Sequence, residues 1–336
     1  KDSEFTSTSK LRRLTFLLGL FSLTQYFYNI FSVGGFVAAY GRSYGGGWSS
    51  IGYLREAFLF SVPAAVLYLL SFNRKRLTLW NWCSVAILLS PIIIQGLLGS
   101  RRGPTAMAFI ALGMTWFLVR YRRSSLQLVI AGSCLLGFLM LFLVANRSSI
   151  YLGASIEDLR FDNLFNTFGL SDKATSLSSN EYVYSGGTII NANIRDSFFW
   201  GRRYFIVVFV RPIPRFLWPG KYVDVASWLN IRNIDDGNLG VGTDELVETL
   251  GWTASNGAAP GLFADLWIVF SWLSMVALFL IGYLYGWAWR KMVSQGGFWS
   301  VHFLIISALS VYLISQTLEA MLCRYLLMNG GVLMAW

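Results

Sequence analysis

Apolar residues fall in blocks of roughly 18 to 25, separated by short polar connections, and that length matches the hydrocarbon core of a bilayer. After a polar start ending in Lys10, Arg12 and Arg13, the first span runs from Leu14 to about Tyr40. The glycine-rich turn at Tyr44–Trp48 leads to a second span, from about Arg55 to Phe72, and the basic loop 73–76 to a third, Leu79 to about Leu98, with a kink expected at Pro91. A tight turn, Gly99–Pro104, leads into the fourth span, Thr105–Val119, and Arg120–Arg123 separates it from the fifth, Leu126–Ala145. The long segment Asn146–Pro260 has no run of spanning length. Leu262–Trp287 and Phe298 to about Thr317 are the sixth and seventh spans, and an eighth begins near Cys323.

The pattern predicts an all-α polytopic integral membrane protein in three parts. Residues 1–145 carry about five spans, residues 146–260 form a large loop, and residues 261–336 carry two or more spans. The chain begins at Lys1 and ends at Trp336 within an apolar stretch, so these helix counts are read as minimum counts.

Within the loop, residues 156–168 have apolar positions at near-helical spacing. They read as an amphipathic helix lying either on the membrane surface or against neighbouring helices. Residues 204–210 are apolar but too short to span, and Pro212 and Pro214 stop their extension, so a re-entrant or interfacial segment fits. Residues 244–250 read as another short helix.

Composition supports this reading. Hydrophobic residues make up 55% of the chain and charged residues 13%, against about 25% charged in an ordinary soluble domain. One large aqueous core is thereby excluded. Basic residues gather in alternate short connections (10–13, 73–76, 120–123 and 290–291), which places those on the cytoplasmic side. The 99–104 turn and the long loop then face outward, to the periplasm or cell exterior. Orientation accounts first for the net charge of +10, so nucleic acid is not the expected partner. Arg far outnumbers Lys, which suits bidentate binding of an anionic substrate. The single His and three Cys supply neither metal-ligand spacing nor a disulfide framework.

Arg101 and Arg102 lie in the outward turn, against the charge rule. They either snorkel to lipid headgroups or act as ligands. The stretch Arg211-Pro-Ile-Pro-Arg215-Phe-Leu-Trp218-Pro-Gly-Lys221 sets cations among rigid prolines and aromatics. Fixed backbone presents such cations at little entropic cost, which fits a clamp for a lipid-linked phosphate or diphosphate. A structured loop touching headgroups is the alternative. A diphosphate leaving group needs its developing charge stabilised, and guanidinium groups can do this without a divalent ion. The candidate diphosphate-binding residues are therefore Arg101, Arg102, Arg211, Arg215 and Lys221, with Arg324 behind them.

The outward turn with Arg101 and Arg102, the Pro214-Arg215-x-Leu-Trp-Pro-x-Lys221 segment and the Gly257-Ala-Ala-Pro-Gly-Leu-x-Ala-Asp265 entry into a helix resemble, in order and spacing, the bacterial O-antigen polymerases. These are the Wzy-type oligosaccharide repeat-unit polymerases. The resemblance covers roughly residues 95 to 325, and Asp265 stands where the family often has Glu. It implies a GT-C-like multi-spanning glycosyltransferase in the bacterial inner membrane, with its active site facing the periplasm. It further implies undecaprenyl-diphosphate-linked oligosaccharides as donor and acceptor, no metal and no cofactor, and a separate chain-length-determining co-polymerase as partner.

An acceptor hydroxyl calls for a general base. The candidates are Asp265, Glu245, Glu248 and Glu319, each of which could instead be an ion-pair partner of an arginine. Tyr182, Tyr184, Trp200, Trp228 and Trp252 lie in the outer loop, where a membrane belt explains them less well. Together with Trp218, which also suits the headgroup layer, they are the candidate sugar contacts. His302 reads as a packed helix residue.

Three other classes compete with the polymerase. An O-antigen ligase usually relies on a His in the outer loop, and none is there. A transporter or lipid flippase predicts mid-membrane charges and matching halves. A structural subunit of an envelope complex predicts that the arginines are dispensable.

Overall fold

The computed structural model describes residues 8–42, 56–72, 78–120, 125–154, 181–213, 216–230, 243–251 and 259–335. The expected amphipathic helix at 156–168, the basic loops at 73–76 and 121–123, Arg215 and Trp252 lie outside the described residues. Among those described there are helices and no strands. Five apolar helical stretches are long enough to cross a membrane: Leu11–Ser32, Leu79–Leu97, Leu126–Leu143, Gly261–Gln295 and Phe298–Ser315. This is the construction of a helical membrane protein, because backbone groups in lipid must be satisfied within the chain.

The chain divides into two compact units. The first comprises residues 1–173, 288–308 and 327–336, and the second residues 174–287 and 309–326. In the first, α1 (Thr8–Ser32) packs on α3 (Ser61–Leu70) and α4 (Leu79–Leu97), with the short α2 (Phe36–Tyr40) between α1 and α3 in sequence. A 3-10 turn at Ala57–Phe60 leads into α3, and Ser22 Oγ donates to the Phe58 carbonyl there at 2.6 Å. In turn, α4 packs on α5 (Arg102–Arg120), and α5 on α6 (Leu126–Ala145).

Two local solutions matter in the first unit. Pro91 lies inside α4, which runs through it as one helix from Leu79 to Leu97. Proline has no N–H to offer the Ile87 carbonyl four residues earlier. Ser90 Oγ donates to that carbonyl at 2.8 Å instead. At the end of α4, Ser100 adopts φ 48° and the Arg101 N–H bonds back to the Gly96 carbonyl at 2.9 Å. This six-residue back-bond over a left-handed residue closes the helix and reverses the chain at once. Gly96 makes room for it, because a Cβ there would sit 2.1 Å from Thr105 Oγ1 on α5.

In the second unit, α7 (Glu181–Ile194) packs on α11 (Gly261–Phe270) and on α10 (Thr243–Leu250). Ala192, Ile268 and Val269 form a buried apolar centre against which Phe198, Phe199, Tyr204 and Phe270 pack. Trp200 and Gly201 both take positive φ, 46° and 79°, and turn the chain into α8 (Arg202–Phe205). A π-helical turn, Ile206–Val210, continues it. Next comes α9 (Lys221–Trp228).

The sixth apolar run differs from the single helix its pattern predicts. Ser271, at φ 52° and ψ −132°, ends α11, a 3-10 turn covers Ser271–Leu273, and α12 (Ser274–Gln295) resumes. Hydropathy cannot register such a break, since one left-handed residue interrupts the hydrogen-bond ladder without changing polarity. Beyond it lie α13 (Phe298–Ser315) and α14 (Leu318–Ala335). The last helix begins earlier than Cys323 and takes Glu319 into its first turn.

Candidate functional site

The second unit holds a buried charge cluster built from three elements. Arg203 of α8 sends Nη1 to Asp265 Oδ1 of α11 at 3.2 Å and Nη2 to Glu319 Oε2 of α14 at 2.7 Å. Tyr204 donates its hydroxyl to Asp265 Oδ2 at 2.9 Å, and the Leu318 N–H donates to the same oxygen at 2.9 Å. All three charged side chains are buried. The Arg203 guanidinium also lies 5.3 Å from the Phe199 ring centroid.

Local sequence explains how these groups meet. The left-handed pair Trp200–Gly201 aims α8 back at α11, and the Phe199 N–H bonds to the Ile268 carbonyl at 2.9 Å, which fixes the approach. Arg202 then locks the turn from outside, donating to the carbonyls of Phe198, Phe199 and Leu229 at 3.0, 2.9 and 2.7 Å. Its neighbour Arg203 is left pointing inward. At the other end, Asp265 accepts from the first N–H of α14 and so ties the start of that helix to α11.

Charge arithmetic gives the cluster its chemistry. One guanidinium faces two carboxyl groups, so with all three ionised the buried site carries one net negative charge. Asp265 receives three hydrogen bonds, from Arg203, Tyr204 and Leu318. Glu319 accepts one hydrogen bond among the described residues, from Arg203. Burial pushes the Glu319 carboxyl above its usual range, Arg203 pulls it back, and the nearby Asp265 pushes it up again. Burial works against the Arg203 charge, but Asp265 and Glu319 outweigh it and keep the guanidinium protonated. Burial and then Asp265 raise the Tyr204 hydroxyl, which stays a hydrogen-bond donor. Arg203 Nε is buried and has no hydrogen-bond partner among the described residues.

The predicted site residues distribute as follows. Asp265 and Glu319 come together through Arg203. Arg211 bears electrostatically on Glu319, and Tyr184 of α7 feels the Arg203 charge. Glu248 lies apart, exposed and paired with Arg195 at 2.8 Å, which holds its carboxyl below the usual range. Glu245 and Tyr182 fall within α10 and α7 respectively.

Lys221 is buried, and its ammonium donates to the carbonyls of Val210 and Arg211, at 3.1 and 2.9 Å, and to that of Ile213. Arg324 donates to the Ala320 carbonyl at 2.8 Å and stands over the Tyr312 ring at 4.1 Å. Trp218 donates Nε1 to Asp224 at 2.6 Å and lies against Trp228, with ring centroids 5.4 Å apart. Trp200 is exposed.

Arg101 and Arg102 belong to the first unit. Both are half-buried, and Arg101 acts electrostatically on the Tyr40 hydroxyl, which is bonded to that of Tyr26 at 2.7 Å. In the same unit His302 is buried, bonded through Nδ1 to Asn329 Oδ1 at 3.1 Å and flanked by Phe298 and Trp299.

Sequence reasoning missed the hub. Arg203 is absent from the predicted site residues, because its neighbour Arg202 has the same charge and nothing local tells them apart. The available signal was a cation abutting an apolar stretch too short to span, in a chain with carboxylates at two later helix starts. Among the described residues, no three of His, Cys, Asp and Glu gather where they could share an ion. In comparisons with known proteins, no family profile matches the chain, and neither a curated sequence nor a solved structure is significantly similar to it.

Proposed function

We propose that this chain is a glycosyltransferase that polymerises undecaprenyl-diphosphate-linked oligosaccharide repeat units at the outer face of the bacterial inner membrane. The observation that carries the reading is the buried Arg203–Asp265–Glu319 cluster, with Tyr204 on its edge and Arg211 bearing on Glu319. Ionisable residues buried in a helical membrane protein are costly and are functional by default. Here they combine a carboxyl group raised by burial with cations close by, which is what transfer from a diphosphate to a hydroxyl requires.

In this reading, the bond between the donor sugar's anomeric carbon and the diphosphate oxygen breaks as the acceptor hydroxyl oxygen bonds to that carbon. The hydroxyl proton passes to Glu319, whose single donor among the described residues leaves it the less committed of the two carboxylates. Asp265, committed to three donors, is a positioning residue that holds Arg203 and Tyr204. Arg211, which bears on Glu319, meets the negative charge on the departing diphosphate. The GT-C-like architecture, the periplasmic orientation and a chain-length-determining partner belong to the same proposal.

The test is the surface polysaccharide ladder of cells carrying Glu319→Gln, Arg203→Lys or Arg211→Ala. The expected result is loss of chain length with the single-unit product retained. Loss of all attachment to lipid A would indicate a ligase instead, and an unchanged ladder in all three variants would end the enzymatic reading.

A further inference from the structure

Two described stretches of the second unit carry Arg202, Arg203, Arg211 and Lys221: residues 202–213, containing α8 and the π-helical turn, and residues 216–228, ending in α9. Neither is long enough to cross a bilayer. Both nevertheless expose large apolar side chains. Phe209 is 62% exposed, Phe216 80%, Val223 71% and Trp228 71%, and Phe205 and Leu217 are exposed beside them. The opposite side of the first stretch is committed inward, with Ile206, Val207 and Val210 buried. Phe205 and Phe209 therefore form an outward ridge, with ring centroids 5.1 Å apart.

An aqueous loop can leave its carbonyls to water, whereas a segment at membrane depth must satisfy them from within the protein. Here two long cations do so. Lys221 bonds the carbonyls of Val210, Arg211 and Ile213, where the π-helical turn ends. Arg202 bonds those of Phe198, Phe199 and Leu229, where α8 begins and α9 ends. Both ends of the apolar ridge are thus capped by side chains.

Continuity supports the same occupant. The stretch is joined to α11 by the Phe199–Ile268 backbone bond and by the Arg203 and Tyr204 bonds to Asp265. α11 opens the apolar run Gly261–Gln295, whose outward Phe263 and Trp272 are themselves exposed. Trp218, with Nε1 bonded to Asp224 and its ring against Trp228, is the amphipathic aromatic expected at headgroup level.

We propose that these two stretches form a re-entrant foot whose apolar ridge lies among the acyl chains of the bilayer, with Arg202 and Lys221 as its internal carbonyl caps. The foot enters and leaves the same face of the membrane. It holds the backbone of Arg211 at the depth of lipid phosphates.

The test uses the full chain in vesicles of phosphatidylethanolamine and phosphatidylglycerol, without lipid-linked sugar, so its outcome is independent of the glycosyl-transfer reading. Single nitroxide labels at Phe209, Phe216 and Val223, with the native cysteines replaced, are compared with labels at exposed Asp196 and at Phe279 in α12. The expected result is collision with oxygen exceeding collision with a water-soluble nickel reagent several-fold at the three foot positions, as at Phe279, with the reverse at Asp196. A second arm needs no substitution: photoactivatable phosphatidylcholine, reactive at the acyl-chain end, should leave adducts on peptides from residues 202–228. Nickel access dominating at the foot overturns the proposal. So does exclusion of both reagents with label-to-label broadening, which would mean that a second copy covers the ridge. Adducts on 261–295 without any on 202–228 overturn it equally.

Discussion

Arg203 and Glu319 meet at 2.7 Å with both side chains buried, although more than a hundred residues separate them in the chain. With Asp265 on the guanidinium's other nitrogen, the pair makes α8, α11 and α14 interdependent. A buried ion pair adds little net stability over a well-packed apolar substitute, but removing one partner strands the other. The consequences of single substitutions here are therefore asymmetric.

Arg203→Ala leaves two buried carboxyl groups without their cation and is expected to cost about 3–5 kcal/mol, the range for breaking a buried pair. Thermal unfolding in detergent followed by fluorescence measures it. Arg203→Lys should recover only part of the loss, since a single ammonium cannot reproduce the two-pronged contact with Asp265 and Glu319.

Glu319 makes the second unit pH-sensitive. Its carboxyl is raised in the folded protein above the unfolded value of 4.5. The folded state then binds the extra proton, so this contribution is fully present below pH 4.5 and is lost as pH rises through the folded value. Glu319→Gln keeps an acceptor for Arg203 without the titration. The wild-type melting temperature should therefore fall relative to that of Glu319→Gln as pH rises from 4.5, and parallel curves would contradict the assignment.

Lys221→Met removes a buried ammonium and strands three carbonyls at the end of the π-helical turn. Hydrogen bonds to charged groups are worth about 1.5–3 kcal/mol each, so a destabilisation of at least that size is expected. Hydrogen exchange should locate it, with faster exchange over 206–213 and unchanged rates in α4 and α5.

Ser90→Ala leaves the Ile87 carbonyl without the hydroxyl that replaces the N–H missing at Pro91. A cost of about 1 kcal/mol is expected. The double variant Ser90→Ala, Pro91→Ala restores the backbone donor and should recover it, as read by thermal unfolding.

Gly96→Ala drives a methyl group into Thr105, 2.1 Å from Oγ1 and 2.9 Å from the backbone nitrogen. Overpacking of this kind costs about 1–3 kcal/mol. Gly113→Ala, inside α5 where nothing lies within 4 Å, is the matched control and should leave the melting temperature unchanged or raise it slightly, since alanine favours the helix.

The positions of the apolar blocks were legible in the chain because a spanning helix needs little beyond length and hydropathy, and neither depends on distant residues. Asp265 and Glu319 were legible as candidates because each stands at the polar edge of an apolar run. The break at Ser271 and the means by which α4 passes Pro91 were not. The first depends on one backbone angle, and the second on a neighbouring hydroxyl taking over a hydrogen bond.

By itself, then, the sequence determined that the chain is helical and suited to a membrane, and where its arginines and carboxylates stand along it. Only the tertiary structure decided which of two adjacent arginines turns inward, that Lys221 caps backbone carbonyls, and that two distant carboxyl groups share one guanidinium. The reason is physical: hydropathy and charge belong to single residues, whereas an ion pair or a carbonyl cap exists only once helix packing has brought its partners within hydrogen-bond reach.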